Sequence, residues 1–61
     1  MDNLDKRHQE MITKLNDAWI RGKEKPERSE VEQLEKELYQ AGEATLSGYL
    51  RQKKILVLGW N

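Results

Sequence analysis

The side chains that could do chemistry in this sequence are one histidine, a group of glutamates and a short basic segment. His8 is the only histidine, and histidine is the side chain that changes charge near neutral pH. It falls on the apolar side of a helical pattern, which is typical of a residue at the edge of a core. The sequence contains no Cys, so thiolate metal sites are excluded. With no Ser/His/Asp set or phosphate-binding glycine loop, the sequence predicts a non-enzymatic protein without a cofactor or metal.

Four glutamates lie close together in the middle of the chain, at Glu30, Glu32, Glu35 and Glu37. They fall in the first turns of a predicted helix, where the helix dipole stabilises negative charge. A cation site would need more oxygen ligands converging on one point. We therefore expect a solvated helix face.

Arg51, Lys53 and Lys54, with Tyr49 beside them, form the short basic segment. Surfaces that bind nucleic acid normally carry more positive charge and several stacking side chains. The chain has 11 basic and 11 acidic residues and a formal net charge of zero. A dimeric nucleic-acid-binding regulator that uses these three cations is therefore the alternative interpretation. In the simpler interpretation, the cations lie at the C-terminal end of a helix and stabilise its dipole.

Apolar residues spaced by three and four positions predict two amphipathic helices, over residues 3–21 and 27–52. The first is expected to stop at Gly22, which can adopt the left-handed conformation that closes a helix. Ser29 and Glu32 have the spacing of a capping box at the start of the second. A polar connector around Pro26 joins the two, so the sequence predicts an all-α fold built on an antiparallel helical hairpin.

Small residues over positions 41–48 leave the continuity of the second helix open. Gly42 could end it, with a short third helix from about Ala44 to Gln52. Alternatively one long helix continues, with a weak point near Gly42, because a glycine inside a helix costs about 1 kcal/mol relative to alanine. We favour the continuous helix.

The only sustained apolar run is KKILVLGWN, at residues 53–61. It is far shorter than the roughly 20 residues that span a bilayer, and it lacks the G-x-G-x-x-G that would make it a dinucleotide-binding strand. It could be a short β-strand that pairs across a dimer or with a partner's sheet edge. It could instead be the last apolar turns of the second helix. Either interpretation predicts a docking or dimerisation tail.

Two segments, KRHQEMI at residues 6–12 and LEKELY at residues 34–39, resemble the small aspartyl-phosphate phosphatases that act on sporulation response regulators. The first looks like the first helix of that family, and the second falls where its Ser-x-Glu-Leu-Asp signature would lie. Glu37 and Leu38 match the signature, whereas Glu35 and Tyr39 replace its Ser and Asp. The resemblance implies a two-helix hairpin. Because both polar positions differ, the third interpretation is a degenerate relative of this family, to which the phosphatase activity is not carried over.

Size predicts self-association. A chain of 61 residues buries only about 60% of its unfolded surface, and without disulfides or metals a second chain is the usual remaining source of stability. We expect one small domain over residues 1–61, paired into a homodimeric four-helix bundle. The charged N-terminus predicts a cytoplasmic protein.

The preferred function is a small regulator or adaptor that acts by binding protein, either itself or an unidentified partner. The expected interaction residues are Trp19, Leu46, Tyr49, Leu50, Ile55, Leu56, Val57, Leu58 and Trp60.

Overall fold

Three α-helices make up the fold of residues 3–60, the part of the chain that the computed structural model describes. They are Asn3–Arg21 (α1), Arg28–Gln40 (α2) and Ala44–Leu58 (α3). The prediction of an all-helical protein is confirmed, and no strand occurs within these residues. α1 has the predicted extent, and Gly22 follows it with a φ of 68°, in the left-handed region.

Contacts between side chains fix the direction of each helix. Arg7 of α1 pairs with Glu37 near the end of α2, so α1 and α2 are antiparallel. Arg28, at the start of α2, donates to the carbonyl oxygen of Leu58, at the end of α3, over 2.7 Å. α2 and α3 are therefore antiparallel too, and α1 and α3 run in the same direction.

The predicted continuous helix over residues 27–52 is wrong, because the chain reverses at Gly42. Gly42 has a φ of 84°, and the amide of Glu43 donates to the carbonyl of Leu38 over 2.9 Å. A glycine in this conformation closes a helix. The alternative with a third helix from Ala44 is the one that forms, although α3 extends past Gln52 to Leu58. The reversal lets α3 pack on α1 and α2, which one long helix could not do within a single chain.

Residues 53–58 form the last turns of α3 rather than a β-strand. The helix satisfies its backbone hydrogen bonds locally, whereas a strand would need an edge to pair with. Val57 is buried in the core. The helix ends where the Gly59 amide donates to the carbonyl of Ile55 over 2.9 Å, so Gly59 and Trp60 are the described residues that follow it.

The predicted capping box at Ser29 and Glu32 is also wrong. α2 begins at Arg28, one residue before Ser29, and its N-cap residue is Glu27, whose side chain makes no capping hydrogen bond. The carbonyl of Glu27 accepts from the amides of Glu30 and Val31 instead. Ser29 therefore lies inside the first turn, where its side chain cannot act as a cap.

All three helices contribute to one apolar core. Its largest fully buried side chains are Leu15 from α1, Val31 and Leu38 from α2, and Leu50 from α3. The core is completed by Met11, Ala18, Leu34 and Val57, with Leu4, Ile12, Leu46 and Leu58 packed at its edge.

A forked ion pair joins α1 to α2 at the surface. The two terminal nitrogens of Arg7 donate to the two carboxylate oxygens of Glu37 over 2.9 and 3.2 Å, and Gln33 donates to the same carboxylate over 3.1 Å. These hydrogen bonds, from Arg7 first and then from Gln33, lower the pKa of Glu37. The same pairing raises the pKa of Arg7.

Two glycines should respond in opposite directions to replacement by alanine. Gly42→Ala forces an L-residue into the left-handed region and should lower the free energy of unfolding by about 1 kcal/mol. Gly48→Ala lies inside α3, where an added Cβ meets no atom within 4 Å, and should raise it by about 1 kcal/mol. Urea denaturation followed by circular dichroism measures both. Equal effects of the two replacements would contradict the helix break at Gly42.

Arg7→Gln should reduce stability at neutral pH more than in acid. Because the folded-state pKa of Glu37 is lowered, the pair stabilises the fold above the ordinary glutamate range, about pH 4.3. That contribution is lost as the pH falls through the lowered pKa. Urea midpoints of the wild type and Arg7→Gln should therefore converge as the pH is lowered. Lys6→Gln, which removes a neighbouring positive charge outside the fork, is the control. A gap between wild type and Arg7→Gln that stays constant with pH would contradict the assignment.

Candidate protein interaction surface

Large apolar side chains are exposed at six positions among the described residues: Trp19, Ile20, Tyr39, Tyr49, Leu56 and Trp60. Tyr39 lies on α2. The other five lie on α1, on α3 or directly after α3, so helical geometry decides whether they form one surface.

Two contacts define the seam between α1 and α3. The rings of His8 and Tyr49 lie 6.0 Å apart between centroids, and Lys53 donates to the side-chain oxygen of Asn16 over 3.0 Å. Since α1 and α3 run in the same direction, successive turns of the two helices stay side by side.

We expect the next turn of each helix to continue this surface. Trp19 and Ile20 lie three and four residues after Asn16, and Leu56 lies three residues after Lys53, so helical spacing predicts that each lies towards the seam on its own helix. Trp60 follows Gly59 at this end of the molecule. We call Trp19, Ile20, Tyr49 and Leu56, extended by Trp60, the α1–α3 face.

Exposure within the face is high. Trp19 is 57% exposed, Leu56 51% and Trp60 78%. The cation of the seam is already engaged, because the Lys53 ammonium is bonded to Asn16 and lies 5.7 Å from the centre of the Tyr49 ring. Because both partners are neutral, the ammonium keeps its charge, and the face offers apolar contact area beside this one cation.

The other predicted interaction residues lie elsewhere. Leu50 and Val57 are buried in the chain's own core, and Leu46 and Leu58 pack at its edge. Ile55 is partly buried. Ile20, which belongs to the face, was not among the predicted residues, because it lies next to the predicted end of the first helix and outside its apolar stripe.

The predicted basic segment is not assembled as a patch. Arg51 is exposed, whereas Lys54 is buried and its ammonium lies 3.1 Å from a Glu35 oxygen and 3.3 Å from a Glu32 oxygen. Lys53 is bonded to Asn16 of α1. Consecutive residues of a helix point about 100° apart, so the three cations face different surroundings.

The expectation that the glutamates form a solvated face holds for Glu30 and Glu32, which are exposed, and is wrong for Glu35. The Glu35 side chain is only 18% exposed and contacts Lys54. The backbone carbonyl of Glu35 accepts a hydrogen bond from the Ser47 hydroxyl over 2.9 Å. Glu32 bonds to Lys54 as well, and Glu37 bonds to Arg7. The acidic group therefore connects α2 to both other helices.

His8 is buried, with 6% of its surface exposed, and lies at the edge of the core as the sequence predicted. Its Nε2 atom has no hydrogen-bond partner within the described residues. No group of three potential metal ligands occurs in residues 3–60. None of the three helices there has the length and apolar character needed to cross a membrane.

Comparisons of the chain with protein-family models, with curated proteins and with solved structures found no match. The resemblance of residues 6–12 and 34–39 to small aspartyl-phosphate phosphatases accordingly remains a prediction from two short segments.

Lys54→Met should destabilise the fold, because it leaves the poorly exposed Glu35 carboxylate without its cation. We expect a loss of about 1–3 kcal/mol in the free energy of unfolding at neutral pH. The double variant Lys54→Met/Glu35→Leu should recover part of this loss, since an apolar pair needs no compensation. Arg51→Met, at an exposed position of the same helix, is the matched control and should change stability by less than about 0.5 kcal/mol. Equal losses for Lys54→Met and Arg51→Met would show that the buried ammonium contributes nothing.

Proposed function

We propose that this protein is a small non-enzymatic interaction protein, a regulator or adaptor, that pairs with a second copy of itself through the α1–α3 face. The observation that supports this most is the exposure of five large apolar side chains on α1, on α3 or directly after α3, in a chain of which 36% is charged. Helical spacing predicts that they share one surface. Exposed apolar patches of this kind mark binding surfaces in small proteins.

The size of the face suits a dimer. Large aromatic side chains bury about 150–250 Å² each, so the exposed fractions on this face correspond to apolar area on the order of 600 Å². A standard interface takes about 800 Å² from each partner, and about 65% of it is apolar in homodimers. The face therefore provides the apolar area that one side of such an interface requires.

The net charge does not oppose a second copy as the occupant. The formal net charge is zero, so two copies do not repel each other at long range. A two-fold axis would place the same apolar face on both sides of the contact. Such pairing would bring α1 and α3 of each copy together, four helices in all.

Nucleic-acid binding through Arg51, Lys53 and Lys54 has less support. Lys54 is bonded to two carboxylates, and Lys53 is bonded to Asn16. Arg51 alone of the three is exposed, whereas such surfaces use several cations together.

Leu56→Glu should weaken self-association at least about tenfold, which corresponds to about 1.4 kcal/mol, because it places a charge in the centre of the apolar contact. Sedimentation equilibrium across a range of concentrations gives the dissociation constant. Tyr39→Glu introduces the same charge at an exposed aromatic position of α2 and should leave it unchanged. Point substitution is preferable to deletion of residues 55–61, which would also remove Val57 from the core.

Two results would refute this proposal. One is a wild-type chain that stays monomeric up to millimolar concentration. The other is equal weakening by Leu56→Glu and Tyr39→Glu, which would show that the α1–α3 face has no special part in association.

A further inference from the structure

A second surface lies between α2 and α3. It is an open groove of about 590 Å³ to which α1 contributes no residue. The residues that line it are Glu32, Glu35, Lys36 and Tyr39 from α2, and Ala44, Ser47, Gly48, Arg51 and Lys54 from α3. We call it the α2–α3 groove. It shares no residue with the α1–α3 face.

Small side chains form the α3 wall of the groove. Ser47 and Gly48 lie three and four residues after Ala44, so the three lie on one side of the helix. Gly48 lies within α3, where glycine costs about 1 kcal/mol relative to alanine. A Cβ there would meet no atom within 4 Å, so the packing of this chain does not require a glycine. Its effect is to leave the α3 backbone open to close approach from outside.

The unpaired charge of the groove is positive. The Glu32 and Glu35 carboxylates are both bonded to Lys54. Lys36 and Arg51, one from each wall, are both exposed and take part in no ion pair within residues 3–60. An occupant that carries carboxylates would therefore find two cations on opposite sides of the groove.

We propose that the α2–α3 groove binds an acidic helical segment of a partner protein, whose carboxylates pair with Lys36 and Arg51. Two antiparallel helices leave between them a groove into which a further helix packs, and recognition of a helix in a groove is a common mode of peptide binding. The close approach permitted at Gly48 suits a helix that lies directly on α3. Tyr39, 69% exposed, supplies an aromatic contact on the α2 wall.

A nucleic acid fits the groove less well than an acidic helix. Single-stranded nucleic acid is bound by grooves that combine several cations with several stacking rings. This groove has one aromatic side chain and two carboxylates among the residues that line it. The phosphate backbone would meet those carboxylates, whereas a helix can place its own acidic residues against Lys36 and Arg51 alone.

Fluorescence anisotropy with a labelled helical peptide tests the proposal. The probe has about 16 residues, enough for about 24 Å of helix, with leucine and alanine on one face and glutamate on both flanks. We expect it to bind the full chain, and we expect the same peptide with lysine in place of glutamate not to bind. Lys36→Glu/Arg51→Glu should weaken binding at least tenfold. Lys6→Glu/Lys23→Glu makes the same change of charge outside the groove and should leave binding unchanged.

Gly48→Leu provides the second variant, because it fills the groove without changing its charge. It should also weaken binding at least tenfold, while its circular dichroism spectrum stays helical. Equal binding of the acidic and basic peptides, no binding of either, or insensitivity to both groove variants would overturn the proposal. So would tighter binding of a single-stranded oligonucleotide than of the acidic peptide.

The peptide experiment is independent of self-association. Sedimentation of the groove variants reports on pairing through the α1–α3 face, which they leave intact. A groove variant that loses peptide binding but keeps the molecular mass of the wild type in sedimentation would therefore bear on the groove alone. A wild-type chain that is monomeric and still binds the acidic peptide would refute the pairing proposal alone.

Discussion

The reversal of the chain at Gly42 is the constraint on which the rest of the structure depends. A left-handed residue at this position ends α2 and turns α3 back along it. The turn brings Leu50 and Val57 into the core and places Lys54 against the carboxylates of α2. It also makes α1 and α3 neighbours, so both candidate surfaces, the α1–α3 face and the α2–α3 groove, exist because the second helix is broken.

Much of the helical content could be predicted from periodicity, and the break could not. α1 has a single apolar stripe and a glycine directly after its end, so both its extent and its end were predictable. α3 packs against α1 and α2 and also exposes Leu56, so its apolar residues occupy several sides and do not define one face. Because α3 has no clear apolar stripe, only the energetic cost of a glycine inside a helix, at Gly42, distinguished a broken helix from a continuous one. The same ambiguity left a strand open for residues 53–58.

The candidate surface was predictable in its residue types but not in its grouping. Trp19, Tyr49, Leu56 and Trp60 were expected to take part in interaction, and all four are exposed. Leu50 and Val57 had the same apolar character, yet they are buried in the core, because the packing of α3 on α1 and α2 decides which of its apolar residues face inward. Lys53 and Lys54 are adjacent in the sequence but bond to different helices. Their adjacency in the sequence therefore suggested one basic patch, whereas the helix directs the two side chains to different neighbours.

The proposed account gives the small chain two separate binding surfaces, an apolar one for a second copy and a cationic groove for an acidic helix. Its central claim is the pairing of copies through the seam of α1 and α3. The most direct measurement is an isotope-filtered nuclear Overhauser experiment on a mixture of labelled and unlabelled chains. The account predicts contacts between copies that involve the side chains of Trp19 and Leu56. Contacts confined to α2, or none at millimolar concentration, would contradict it.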